Sequence, residues 1–153
     1  MVDNLSSGRA EHLRDLDVEF VEGDLLDQGL ARRAVSRIDV VFHLAADHGG
    51  RGYVDLHQAA CATNLALDGN LFLASLEAGV EKVVFASSGC VYPNFRSQDP
   101  DEILYLTDDI AGPPSDADNM YGWAKLMGEM TLAHFADERG LKAVSLRYFT
   151  VYG

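Results

Sequence analysis

Ile38-Asp39-Val40-Val41-Phe42-His43-Leu44, then Leu56 through Ala78, then Lys82-Val83-Val84-Phe85-Ala86: the reading of this stretch decides the fold. The first run is nearly continuous apolar sequence, the pattern of a strand buried on both faces of a sheet. Leu56 to Ala78 carries helical spacing, with Leu65, Leu71, Leu73 and Leu76 among its apolar positions, and Gly79 caps it. Lys82 to Ala86 repeats the buried-strand pattern. A strand, a long helix and a second strand imply parallel neighbours joined by a right-handed crossover. Working outward, Val18-Glu19-Phe20-Val21 reads as a strand that stops at Glu22-Gly23-Asp24, and Gln28 to Ser36 reads as a helix. A polar, glycine-rich loop, Asp47-His48-Gly49-Gly50-Arg51-Gly52, follows Leu44. Residues 88–118 are irregular and hold all four prolines. Asn119 to Glu138 is a second long helix closed by Gly140, and Leu141 to Tyr148 is a final strand. This alternation predicts an α/β fold with a doubly wound parallel sheet.

The 153 residues suit one domain, and 12 basic against 24 acidic residues give a formal charge of −12. A chain so acidic lacks the basic face that a nucleic-acid partner requires. With 48% apolar residues it is globular and not a disordered acidic tail. Its longest apolar runs are too short to span a bilayer, and Met1 to Gly8 has neither the cationic start nor the apolar core of a signal peptide. Two cysteines, Cys61 and Cys90, imply no disulfide framework and point to the cytoplasm. No metal site and no internal repeat is expected. Val2-Asp3-Asn4 reads as the tail of a strand, Tyr148 to Gly153 leaves the last strand where ligand loops sit, and no G-x-G-x-x-G or G-x-x-G-x-x-G occurs. The expectation is an internal piece of a larger enzyme, a partial domain over residues 1–153.

Three constellations carry chemistry. Tyr121-Gly122-Trp123-Ala124-Lys125 places a phenol and an ammonium on one helix face, one turn apart. A nearby ammonium favours phenolate, and bringing a tyrosine from about 10 to about 7 needs roughly 4 kcal/mol of such help. A bound oxidised nicotinamide, also cationic, would add to it. The same spacing is also common on helices without any function. Ser87-Ser88 ends an apolar strand, where hydroxyls face the ligand crevice of a parallel sheet or simply terminate the strand. Asp3 follows Val2, where an acidic side chain accepts from an adenosine ribose or is a loop aspartate; Asp24 closes the next strand, with a helix N-cap as its alternative.

The order and spacing of these pieces resemble the extended short-chain dehydrogenase/reductases, the NAD-dependent epimerase/dehydratase group acting on nucleotide sugars. The resemblance runs through Val2-Asp3-Asn4-Leu5, Val21-Glu22-Gly23-Asp24-Leu25, Val41-Phe42-His43-Leu44-Ala45-Ala46, Asn64-Leu65 and Gly79 to Ser88. It continues through Val91-Tyr92, Tyr121-x-x-x-Lys125 and Leu146-Arg147-Tyr148-Phe149-x-Val151-Tyr152-Gly153. It implies a Rossmann-like sheet without its first βα unit and without a C-terminal substrate domain. Ser88, Tyr121 and Lys125 take the places of the catalytic triad. Asp3 would hold the adenosine ribose of NAD, Asp24 and Leu25 the adenine, and Leu44, Ala45 and Ala46 the nicotinamide side, with Asn4 also at the cofactor. Lys125 would also bind the nicotinamide ribose, with Tyr148 and Phe149 lining that pocket. Asp3 favours NAD over NADP, whose extra phosphate it would repel, and Arg9 nearby works against that preference.

Within the family, Ser88-Gly89-Cys90 lacks the Thr-Asp-Glu triplet of 4,6-dehydratases, and Cys90 and Pro93 depart from the Ser-x-Ala-x-Val-Tyr-Gly of 4-epimerases. They resemble the GDP-mannose 3,5-epimerase subfamily, in which a cysteine two residues after the serine exchanges sugar protons. Ala45 to Tyr53 resembles that subfamily's substrate loop, so Gly49, Gly50 and Arg51 would contact the nucleotide sugar with Ser88 and Cys90. Oxidising C4 to a ketone acidifies the hydrogens on C3 and C5, within reach of a thiol of pKa about 8.5. The other reading of Cys90 is a buried small apolar residue. Thr150 stands where the family has Asn. The implied activity is a nucleotide-sugar epimerase working through a transient 4-keto sugar, its parent a homodimer; the alternatives are a UDP-sugar 4-epimerase or a truncated chain without activity. With the first strand absent, the strands ending at Asp3 and Val21 should separate from those ending at Leu44, Ser87 and Tyr148 by a slot of roughly 5 Å.

Overall fold

The computed structural model describes residues 1–96 and 103–151. Ser97 to Glu102, and Tyr152 and Gly153 of the terminal motif, lie outside them. Five parallel strands form two sheets. In the first, β1 (Val2–Asp3) pairs with β2 (Val21–Glu22), Val2 opposite Val21. In the second, β3 (Val40–His43), β4 (Lys82–Ser88) and β5 (Ala143–Tyr148) run in the order β3-β4-β5. Among the described residues the two sheets share no ladder, the partition that the sequence reading expects. β2 is shorter than the Val18–Val21 run, because only its last residue finds a partner on the short β1.

The helices fall where the periodicity put them, with one exception. α1 (Gln28–Ala34) is capped by Asp27, whose Oδ1 accepts from the Gly29 amide at 2.7 Å. Asp24 is therefore no helix cap; its carboxylate accepts from the Leu26 amide at 2.8 Å and from the Asn4 side-chain amide at 3.2 Å. The exception is Leu56 to Ala78, which is three pieces: α2 (Arg51–Leu56), α3 (Gln58–Ala62) and α4 (Asn64–Ala78). Tertiary and local side-chain bonds break the run. His57 leaves helical geometry with its ring stacked on Tyr53 and its Nδ1 2.9 Å from the Tyr53 carbonyl. Asn64 turns inward, accepting from the Asp47 amide at 2.7 Å and donating to the Asp47 carbonyl at 2.9 Å. The expected glycine-rich loop is correspondingly shorter, since Arg51 and Gly52 already belong to α2. α4 and α5 (Asn119–Arg139) each end at a left-handed glycine, Gly79 at φ 71° and Gly140 at φ 75°.

The core lies between the second sheet and α4 and α5, with α1 behind α4. Phe72 of α4 meets Phe85 of β4 edge to face at 5.2 Å, with Val83, Leu71 and Leu132 around them. Only this face of the sheet is covered. Val41 and His43 are buried, but Phe42 is 69% and Leu44 63% exposed, and Val144 and Leu146 of β5 also face outward. The expectation of a strand buried on both faces fails for Ile38 to Leu44. Successive side chains point to opposite faces of a sheet, and both long helices lie on one of them. Among the described residues no helix is long and apolar enough to cross a membrane, and no group of three or more His, Cys, Asp or Glu could hold a metal ion.

Candidate active site

Clefts open beyond the carboxyl ends of the strands. One, of about 480 Å³, is lined by Ser88, Cys90, Tyr121, Lys125, Tyr148 and Phe149, together with Leu44, Ala46, Gly49 and Arg51. A second, of about 320 Å³, contains Asp3, Asn4, Asp24 and Leu25. A third, of about 380 Å³, shares Arg51, Ser88, Cys90, Tyr148 and Phe149 with the first. Leu44, Ala46 and His48 line both the first and the second, so these two clefts adjoin, with Ala45 in the second. Gly50 lines neither; it precedes the first residue of α2. Arg9 is engaged by Glu11 at 3.4 Å.

Each reactive group is held by identifiable contacts. Ser88 ends the central strand β4, and its Oγ accepts from the Cys90 amide at 3.1 Å, turning the chain out of the sheet. Cys90 is half-buried at the groove and belongs to neither apolar core cluster. α5 begins against it: the Asp118 amide donates to the Cys90 carbonyl at 2.9 Å, and any Cβ on Gly122 would overlap that carbonyl oxygen. Gly122 thus lets Tyr121 approach Ser88. The Ser88 hydroxyl hydrogen-bonds the phenol and favours its ionisation, but burial and the neighbouring Cys90 outweigh this and push Tyr121 up. Lys125 is 1% exposed, its Nζ 4.7 Å from the Phe85 ring centroid and 5.8 Å from that of Tyr121. Burial pushes it down. The lysine alone therefore does not bring Tyr121 toward neutrality, contrary to the sequence expectation; desolvation is the larger effect.

The groove's walls are tied by ion pairs that periodicity does not display. Arg51 of α2 bonds Asp55 at 2.9 Å and also Asp118 before α5, fastening the loop to the helix that bears Tyr121. Arg147 of β5 donates to Glu129 of α5 at 3.0 and 2.7 Å, and Glu129 also accepts from Ser87. The signal for Gly122 was present, a glycine inside a helical pattern that marks close packing. Asp68 and Glu129 gave none, because their partners are distant in sequence.

A parallel α/β sheet with a Ser–Tyr–Lys groove at the carboxyl ends of its strands defines a dinucleotide-type domain. Comparison with known proteins narrows the class. The chain belongs to the NAD dependent epimerase/dehydratase family, whose sequence profile matches residues 1–153. It is 31% identical to GDP-mannose 3,5-epimerase 1 of Oryza sativa subsp. indica, over 88% of this chain and 35% of that protein. It is 34% identical to UDP-glucose 4-epimerase of Azospirillum brasilense, over 99% of this chain and 41% of that protein. The structure of UDP-glucose 4-epimerase from Thermus thermophilus in complex with NAD superposes with a TM-score of 0.83 at 32% identity, covering 99% of this chain and 47% of that one. The chain thus spans between about a third and a half of the length of these relatives.

Proposed function

We propose that the protein these residues belong to is an NAD-dependent nucleotide-sugar epimerase of the GDP-mannose 3,5-epimerase kind, a cytoplasmic homodimer. The observation that carries the reading is the meeting of Ser88, Cys90, Tyr121 and Lys125 in one groove. The residues present fit NAD: two adjoining clefts share Leu44, Ala46 and His48, with Asp3 lining one and the buried Lys125 the other. Asp3, Asn4, Asp24 and Leu25 would hold its adenosine end, and Leu44, Ala45, Ala46, Lys125, Tyr148 and Phe149 its nicotinamide end. When bound, NAD supplies a hydride acceptor that later returns the hydride.

Tyr121 takes the proton of the sugar C4 hydroxyl, and Ser88 steers that oxygen by hydrogen bonding. Lys125 works against the burial that holds the phenol protonated, and a bound cationic nicotinamide would add to it. Cys90 removes and returns a proton on the carbon beside the new ketone. Gly49 and Arg51 lie where the sugar nucleotide would pass.

The full-length protein, incubated with NAD and GDP-mannose in deuterated water, is expected to place deuterium at C3 or C5, read by NMR. Unlabelled sugar ends the Cys90 role. The 34% identity to a UDP-glucose 4-epimerase keeps a second reading, rotation of the 4-keto sugar with no exchange at C3 or C5. Cys90→Ala separates the two: a 4-epimerase keeps most of its activity, whereas a 3,5-epimerase loses about 10²-fold or more.

A further inference from the structure

Behind the groove two buried polar side chains face each other. His43 of β3 and Asp68 of α4 are both closed to solvent, with His43 Nε2 2.7 Å from Asp68 Oδ1. Their remaining polar atoms, His43 Nδ1 and Asp68 Oδ2, have no hydrogen-bond partner among the described residues. This decides the charge of the pair. An imidazolium would bury a second N–H without an acceptor, while a neutral ring donating from Nε2 leaves only a lone pair unmet. The pair carries the charge of one carboxylate.

That carboxylate lies beside Lys125. The Phe85 ring packs 5.5 Å from the His43 ring and lies 4.7 Å from the Lys125 ammonium. A Cβ on Gly128, one turn beyond Lys125, would sit 3.3 Å from Asp68 Oδ2, so the open oxygen faces α5 at this turn. Lys125 itself has no ion pair among the described residues. We propose that Asp68, anchored by His43, is the positioning residue that keeps Lys125 an ammonium inside the closed site. The role rests on the reading of Lys125 as the partner of Tyr121.

Every other charged or titratable group here has a different task. Glu129, one turn along α5, is taken by Arg147 and Ser87; Cys90, beyond β4, and Cys61, on α3, face Tyr121. Asp68 alone opposes the burial that pushes Lys125 down, and it also pushes Tyr121 up. Removing its charge therefore lowers the proton affinity of both.

The chain holds three lysines, Lys82, Lys125 and Lys142, so ¹³C-labelled lysine resolves each titration by NMR. In Asp68→Asn the Lys125 midpoint is expected to fall by about one pH unit or more while the other two stay in place. An unmoved Lys125 midpoint in the folded variant overturns the proposal. Should Asp68→Asn not fold, Asp68→Ser is titrated in the same way. An unmoved Lys125 midpoint in that folded variant likewise overturns the proposal. Neither readout needs turnover, so an inactive enzyme would count against the epimerase reading and leave this result standing.

Discussion

Tyr121 and Lys125 stand four residues apart, yet the residue between them that sets their place is Gly122. Adding a methyl there drives into the Cys90 backbone, which cannot swing away as a side-chain tip could. Gly122→Ala should cost about 1–3 kcal/mol in denaturant unfolding and widen the Tyr121–Ser88 approach, lowering activity with it. Lys125 makes a second prediction. Its proton affinity is lowered on folding, so the unfolded chain binds more protons and wild-type stability rises with pH from the folded value up to about 10.5. Lys125→Met should therefore be more stable than wild type near pH 7, by about 1 kcal/mol or more. The advantage should shrink as pH climbs toward 10.5, measured by unfolding at a series of pH values. The variant should be catalytically dead.

At the scale of elements, periodicity and glycine caps located α1, α5, the C-terminal end of α4 and the three long strands to within a few residues. The same periodicity failed over residues 51–63, where it could not register that Asn64 is needed to hold Asp47. Register between elements is also invisible to it. β5 and α5 are locked by Arg147 and Glu129, both mostly buried, and through Ser87 the lock reaches the strand that ends in Ser88. Glu129→Ala leaves a guanidinium with only the exposed Asp108 as a charged partner. A loss of about 2–4 kcal/mol is expected in chemical denaturation, more than an exposed pair would give.

Across the whole molecule, the two sheets and the bare face of β3 and β5 have one consequence for the 153-residue chain. In the proposed binding mode, with the adenosine end on one sheet and the nicotinamide end on the other, a dinucleotide is held only as firmly as the sheets hold each other. No ladder joins them among the described residues, and no glycine-rich phosphate turn occurs in the sequence. Calorimetry on the isolated chain should therefore show NAD binding weaker than micromolar; a micromolar constant would refute this. The sequence by itself determined the parallel α/β order, the helix stops, the split into two sets of strands and the Ser88, Tyr121 and Lys125 positions. Each of these follows from local pattern or from spacing along one element. Tertiary structure alone decided which face of the sheet is covered, that Tyr121 is pushed up rather than down, and that Asp68 lies behind Lys125. Burial and charge proximity depend on which distant segments meet, and no local period records that.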